Sequence, residues 1–115
     1  KEPIDNLLLS NVMRPAVAGL SKSLSKELAG EGILVNVVAP GAVLTDRVRQ
    51  NRTADAERRN ISFDEAIDRV TKQVPLGRLG EPDEFGAMVG FLASPEASYI
   101  TGGYFLVDGG RLKGI

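Results

Sequence analysis

Apolar side chains recur at helical spacing after residue 11, and Lys22, Lys26 and Glu27 supply a polar face. The apolar positions are Val12, Val17, Leu20, Leu24 and Leu28. This spacing predicts a helix from about Val12 to Ala29, closed by the glycines that follow it. Pro15 fits best in the first turn, where its missing N–H costs least. Serine and asparagine cap helices, so Ser10-Asn11 just upstream can cap this one.

A run of β-branched residues follows the predicted helix. Residues 33–39 are apolar except for one asparagine and too few for a typical helix, which predicts a buried strand covered on both faces, as in a parallel α/β sheet. Pro40-Gly41 ends that strand, and glycine permits close approach of another group. Ligands of open α/β sheets bind beyond the carboxyl ends of the strands. The segment Pro40–Thr45 therefore either offers backbone and a hydroxyl to a ligand or is an ordinary strand-to-helix turn.

The next stretch, residues 45–62, is polar and charged, which is typical of solvated surface. Ser62 and Glu65 then match a capping box, and this predicts a helix that runs to about Gln73.

Another helix start is predicted at Glu81-Pro82-Asp83-Glu84, where proline and acidic residues suit the first turn. Its apolar residues, expected to form a buried stripe, are Phe85, Met88, Val89, Phe91 and Leu92. A short strand is predicted at Tyr104 to Val107, ended by Asp108-Gly109-Gly110. The order helix, strand, helices, strand favours a parallel α/β sheet.

Composition narrows the function classes further. The 115 residues fit one domain, and the formal net charge of -1 does not indicate a nucleic-acid or membrane partner. The chain has no Cys and no His, which excludes thiolate zinc sites and histidine-dependent hydrolases. Since no apolar run approaches a membrane span and the first residues do not resemble a signal peptide, we expect a cytoplasmic location.

Several motifs, in order and at family-like spacing, carry a resemblance to a known family. They are Leu20–Leu28, Gly32–Asn36, Ala39-Pro40-Gly41, Pro75–Arg78 with Gly80-Glu81-Pro82, and Ile100–Gly103 with Val107–Gly110. From about Ser10 to Gly110 the chain resembles the short-chain dehydrogenase/reductase family. The resemblance implies an α/β fold, the carboxyl-terminal part of a Rossmann-type doubly wound parallel sheet. It also implies hydride transfer between NAD or NADP and a small-molecule carbonyl or alcohol substrate.

The same resemblance implies roles for the loop after the predicted strand. Pro40, Gly41, Val43 and Thr45 would line the nicotinamide end of the cofactor site. The Val43 backbone would face the carboxamide, and the Thr45 hydroxyl would lie near the carboxamide or the pyrophosphate. Residues 46–74 would form the substrate-binding loop and its helices.

Two departures from the family pattern concern the chemistry. The glycine-rich phosphate loop and the family's catalytic serine belong to an amino-terminal half that this sequence does not contain. We therefore predict one partial Rossmann-type domain over residues 1–115, inactive alone. Ser10 and Arg14 stand where the family has the Tyr and Lys of Tyr-x-x-x-Lys, and an aliphatic hydroxyl is a far weaker acid than a phenol. The alternatives are that Ser10 caps the helix and Arg14 is a surface charge, and that the protein is a non-catalytic binding or assembly module.

Assembly is the last expectation. The predicted Val12–Ala29 helix carries Ala18 and Gly19, small residues that allow another backbone to come close. In the family that the chain resembles, the equivalent helix packs against a neighbouring subunit. We therefore expect a homo-oligomer, most simply a two-fold dimer.

Overall fold

The computed structural model describes residues 7–113, which form four α-helices and two short strands. In chain order these are α1 (Leu8–Glu27), β1 (Val37–Pro40), α2 (Asp46–Arg59), α3 (Phe63–Thr71), α4 (Pro82–Leu92) and β2 (Tyr104–Val107). Single 3₁₀ turns follow α1 and α4, at Ala29–Glu31 and Pro95–Ala97. The two strands pair in parallel, so the predicted α/β class is confirmed.

The described residues cluster into two compact units. The first comprises residues 7–39 and 88–106, and the second comprises residues 40–87 and 107–113. The expectation of one partial domain over residues 1–115 stays a prediction.

Helix α1 begins one turn earlier than its apolar spacing predicted. Leu7 is the residue before the first turn and has no side-chain capping bond, while the Asn11 amide donates to the Leu7 carbonyl at 2.9 Å. The interpretation of Ser10 as a cap is therefore wrong, and Pro15 lies inside the helix rather than in its first turn. Leucine favours helix strongly, so the leucine run extends the helix upstream in spite of the proline.

Strand β1 is shorter and less buried than predicted. Ladder pairing covers only Val37–Pro40, whereas Ile33 and Leu34 are exposed and outside the strand. The Val35 amide donates to the Thr101 hydroxyl at 3.1 Å, so this part of the segment is held by a side chain instead of a ladder. The residues Val37 to Ala39 are half-buried because β1 pairs with one strand only among residues 7–113.

Asn36 joins the start of β1 to the turn before β2. Its side-chain amide donates to the Ile100 carbonyl at 2.8 Å, and its side-chain oxygen accepts from the Gly103 amide at 3.0 Å. The Val37 amide then donates to the Gly103 carbonyl at 3.0 Å and begins the ladder. One polar side chain in an apolar run thereby sets the register of the two strands.

The second unit is built around α2 and α3, which pack against each other. Its buried apolar side chains are Ala56, Ala66, Val74 and Leu79. The polar stretch that was predicted as surface is helix α2, exposed apart from the face that carries Ala56. The predicted capping box at α3 is confirmed, with Ser62 accepting from the Glu65 amide at 3.1 Å and Glu65 accepting from the Ser62 amide at 2.9 Å.

Helix α4 begins at Pro82, as predicted, but it has no buried stripe. Phe85, Met88 and Leu92 are half-buried, while Val89 and Phe91 are exposed. The expectation of a buried face is therefore wrong for the described residues, because no element among them covers the whole face. None of the helices in residues 7–113 is long and apolar enough to cross a membrane.

Candidate cofactor site

The loop after β1 is tied first to the end of β2. The Gly41 amide donates to the Val107 carbonyl at 2.9 Å. A β-carbon at Gly41 would lie 2.5 Å from the Asp108 α-carbon, closer than real β-carbons approach other atoms. The sequence predicted that this glycine permits close approach, and the structure identifies the Asp108 backbone as the group that comes close.

Asp108 holds the turn that follows β2. One of its carboxylate oxygens accepts from the Gly110 amide and the other accepts from the Leu112 amide, both at 2.9 Å. Gly109 and Gly110 have φ of 64° and 83°, which side chains with a β-carbon rarely adopt. The group packed against Gly41 is therefore itself fixed.

A second tie joins the loop to Gly80. The Gly80 amide donates to the Ala42 carbonyl at 2.9 Å, and the Leu44 amide donates to the Gly80 carbonyl at 2.8 Å, which makes an isolated parallel bridge between Val43 and Gly80. Neither bond uses the N–H of Val43. Within the range that the structure describes, no acceptor is bonded to this N–H. The Ala42 N–H is likewise bonded to no acceptor among the described residues, so the loop has two successive backbone donors in a segment that is held on both sides.

Thr45 ends the loop as the cap of α2. Its hydroxyl oxygen accepts from the Val48 amide at 3.3 Å, and its own amide donates to the Val43 carbonyl at 2.9 Å. The hydroxyl proton is not used in this bond. Thr45 is exposed, so the hydroxyl can bond to a ligand while it caps the helix.

The ion pair of Arg78 and Glu84 lies beside the bridge between Val43 and Gly80. The two terminal nitrogens of Arg78 donate to the two carboxylate oxygens of Glu84 at 2.7 and 2.6 Å. Glu84 also accepts from the Glu81 amide at 2.8 Å, at the start of α4. The bond from Arg78, together with that from the Glu81 amide, lowers the pKa of Glu84 to about 2. The same bond raises the pKa of Arg78.

A small pocket of about 90 Å³ lies within the second unit. Its apolar lining includes Val43, Val74 and Val107, and the Arg78–Glu84 pair lies among its polar lining. The sequence analysis did not identify this ion pair or its link to Gly80. The available signal was the glutamate at the third position of α4, a position whose side chain reaches back to the helix start.

Ser10 and Arg14 lie one turn apart on α1, as their four-residue spacing predicted. Ser10 is half-buried and Arg14 is exposed, and Arg14 forms no ion pair within the described part of the chain. These two residues belong to the first unit, whereas Pro40, Gly41, Val43 and Thr45 all belong to the second. The functional roles of all six residues stay predictions.

Comparison with known proteins places the chain among reductases. A family model described as enoyl-(acyl carrier protein) reductase matches residues 3–111. The NADPH-dependent reductase BacG of Bacillus subtilis (strain 168) is 38% identical over 115 residues, which are 100% of this chain and 44% of that protein. The 3-oxoacyl-(acyl-carrier-protein) reductase FabG of Salmonella typhimurium is 46% identical over 97 residues, which are 84% of this chain and 35% of that protein.

A solved structure agrees with these relatives. The short chain dehydrogenase family protein from Francisella tularensis subsp. tularensis SCHU S4 superimposes with a TM-score of 0.91 at 38% sequence identity. The match covers 95% of this chain and 45% of that one. This chain therefore spans less than half the length of the relatives it matches.

Proposed function

Because this chain belongs to the short-chain dehydrogenase/reductase family, we propose that it forms the carboxyl-terminal part of an NAD(P)-dependent oxidoreductase. The reaction would transfer a hydride between the nicotinamide ring and a small-molecule carbonyl or alcohol substrate. The observation that carries the proposal is the unpaired Val43 N–H in a loop whose neighbouring residues are held by hydrogen bonds. The name of the Bacillus subtilis relative specifies NADPH, so NADPH is the first cofactor to test.

The residues present suit the nicotinamide end of such a cofactor. The Val43 N–H is a donor for a carboxamide oxygen, and the Thr45 hydroxyl keeps its proton for a second bond while it caps α2. Gly41 places the loop directly against Asp108, the residue that follows β2. When bound, the cofactor supplies the hydride, while these residues hold and orient it. Residues 46–74, as α2 and α3, would select the substrate.

The 115 residues alone are not expected to bind the whole cofactor tightly. No glycine-rich loop opens a helix after a strand in residues 7–113, so the described part provides no phosphate cradle. We propose that the chain alone has no dehydrogenase activity and weak cofactor affinity. Calorimetry with NADH and NADPH tests this, and micromolar binding by the 115-residue chain would contradict it.

A substitution at Val43 tests the proposed cofactor contact in the protein encoded by the complete reading frame. Val43→Pro removes the N–H but leaves both bonds of the Gly80 bridge, which use neighbouring residues. Loss of one donor to a polar ligand should raise the cofactor Kd by about tenfold. Val43→Ala is the matched control, since it shortens the side chain, retains the N–H and should bind close to normally.

The outcome is decided by cofactor titration alongside circular dichroism, which confirms that both variants fold. Equal Kd values for Val43→Pro and Val43→Ala would contradict the role of the N–H. If the unmutated complete protein binds neither NADH nor NADPH, the oxidoreductase proposal is wrong.

A second candidate function is a non-catalytic binding or assembly module that retains the fold. Ser10 and Arg14 favour it, because they occupy the family's Tyr and Lys positions and an arginine keeps its proton at ordinary pH. A panel of carbonyl substrates with NADPH separates the two candidates. Turnover by the complete protein, reduced in a Ser10→Ala variant, would support catalysis through this position.

We also propose that the protein is a homo-oligomer, most simply a two-fold dimer, with α1 in the interface. The apolar α1 side chains exposed in the structure include Leu8, Leu9, Val12, Met13, Val17 and Leu20. Gly19, on the same helix, has no atom within 4 Å of an added β-carbon, so a second backbone has room to approach. Replacing Ala18 and Gly19 with glutamate should dissociate the assembly in sedimentation equilibrium. A concentration-independent monomer of the unmutated protein would exclude it.

A further inference from the structure

The Arg78–Glu84 pair holds the two peptide units on either side of Gly80. In the peptide before Gly80, the Leu79 carbonyl accepts from Arg78 at 3.1 Å and the Gly80 amide donates to the loop. In the peptide after Gly80, the Gly80 carbonyl accepts from the loop and the Glu81 amide donates to Glu84 at 2.8 Å. Each peptide unit is thus bonded to the ion pair at one end and to the loop at the other.

This arrangement transmits orientation because a peptide unit is planar and rigid. Turning either peptide plane away from the ion pair also turns the group that bonds to Ala42 or Leu44. Those two loop residues flank Val43, and their bonds to Gly80 define its bridge. The direction of the Val43 N–H therefore depends on the ion pair, although neither charged side chain bonds to Val43 itself.

The pair has the geometry that such a role requires. Its two parallel N–H···O bonds have lengths of 2.7 and 2.6 Å, which fix the angle between guanidinium and carboxylate as a single contact would not. Both side chains are about half exposed, so the pair has little value as a source of global stability. The pair instead fixes the position of Gly80.

We propose that Arg78 and Glu84 are positioning residues that orient the Val43 backbone toward the nicotinamide cofactor. This inference rests on the proposed function for the cofactor and on the described bonds for the orientation. It extends the cofactor site from the loop after β1 to the start of α4, a segment that makes no contact with the reacting atoms in this account.

Two matched carboxylates make the test selective. Glu84→Gln removes the charge that binds Arg78, while Glu81→Gln removes a charge three residues away whose side chain makes no hydrogen bond within residues 7–113. In the complete protein, Glu84→Gln should speed amide exchange at Leu44 and Gly80 and raise the cofactor Kd, each by about fivefold. Glu81→Gln, which removes only the weaker attraction of the Glu81 charge for Arg78, should change both far less. Arg78→Lys, which keeps the charge but not the paired bonds, should resemble Glu84→Gln.

A double-mutant cycle distinguishes positioning from general damage to the fold. If the pair acts through the Val43 N–H, Glu84→Gln should add almost nothing to the Kd increase caused by Val43→Pro. Additive effects would overturn the inference, as would unchanged exchange at Leu44 and Gly80. If the unmutated protein binds no cofactor, the proposed function fails together with the cofactor role, and the exchange rates alone then decide whether the pair orients the loop.

Discussion

Replacing Gly41 with alanine should destabilise the protein, because the loop after β1 lies against the Asp108 backbone without room for a β-carbon. The added atom would stand 2.5 Å from the Asp108 α-carbon and 2.6 Å from its β-carbon. Carbon atoms pack best at about 3.5–4.0 Å, so the two segments must separate by about 1 Å. Neither neighbour is the far end of a flexible side chain, so rotation of a side chain cannot relieve the contact.

The expected loss follows from what this separation breaks. Overpacking of a fixed site costs about 1–3 kcal/mol. The bond from the Gly41 amide to the Val107 carbonyl, now 2.9 Å, would be stretched beyond hydrogen-bonding range, at a further cost of about 1 kcal/mol. Alanine restricts the unfolded chain and returns about 0.4–1 kcal/mol. The net loss in unfolding free energy should be about 1–3.6 kcal/mol.

Equilibrium urea unfolding measures this loss, and a second glycine serves as the control. Gly86 lies inside α4 with no atom within 4 Å of an added β-carbon, so Gly86→Ala should stabilise the helix. The gain should be about 0.5–1 kcal/mol. The reasoning is refuted if Gly41→Ala unfolds at the same urea concentration as the unmutated protein, or if both variants shift in the same direction.

Two further predictions concern charge and register. The folded-state pKa of Glu84 is about 2 and its usual value is 4.5, so the ion pair with Arg78 contributes stability above pH 4.5 that is lost as the pH falls toward 2. The contribution is small, because both side chains are about half exposed and solvent screens their attraction. Urea midpoints against pH should therefore fall less steeply in that window for Glu84→Gln, and an unchanged slope would count against the pair. Asn36→Ala should lower the free energy of unfolding by about 2 kcal/mol, because it removes one hydrogen bond to Ile100 and one to Gly103. Asn36→Asp, which places a carboxylate oxygen against the Ile100 carbonyl in place of the donor, should lose at least as much unfolding free energy in the same experiment, and a smaller loss would contradict this account.

The elements that were predicted correctly are those whose cause is local. The capping box at Ser62 and Glu65 needs only four consecutive residues, and the structure shows both of its bonds. The start of α4 at Pro82 rests on the fixed φ of proline and on neighbouring acidic residues. The short strand Tyr104–Val107 is preceded by Gly103 and followed by the turn Asp108-Gly109-Gly110. Each signal is contained within a few residues, so the rest of the chain cannot easily override it.

Two of the wrong predictions, the extent of β1 and the buried stripe of α4, depended on contacts distant in sequence. Residues 33–36 have the composition of a strand, but the Val35 amide bonds to the hydroxyl of Thr101, 66 residues away. No periodicity in the run itself indicates where ladder bonds give way to side-chain bonds. The prediction of a buried stripe on α4 was wrong for a related reason. Apolar spacing predicts which face of a helix is apolar, but it does not predict whether another element covers that face.

The candidate site divides in the same way. Pro40 lacks a backbone N–H and Gly41 lacks a β-carbon, and these two properties predict the end of a strand. The close approach at Gly41 was predicted from its residue type. The partners of the loop, Gly80 and Asp108, are tens of residues away and carry no signal that points back to it. Only the backbone bonds in the structure identify them, and with them the unpaired donor at Val43.

The way the loop is held bears on how a cofactor would be bound. A donor on a mobile loop must be ordered when the ligand binds, and that ordering opposes affinity. Here the Gly41 bond to β2, the Gly80 bridge and the Thr45 cap already order the loop on both sides of Val43. A ligand oxygen would therefore meet a donor whose direction is set in advance, which favours orientation of the nicotinamide ring more than total affinity. Most of the affinity would then come from phosphate contacts outside residues 7–113. Variants of the loop should therefore alter the placement of the nicotinamide ring and the turnover rate. They should have less effect on the Kd of a cofactor fragment that lacks the nicotinamide.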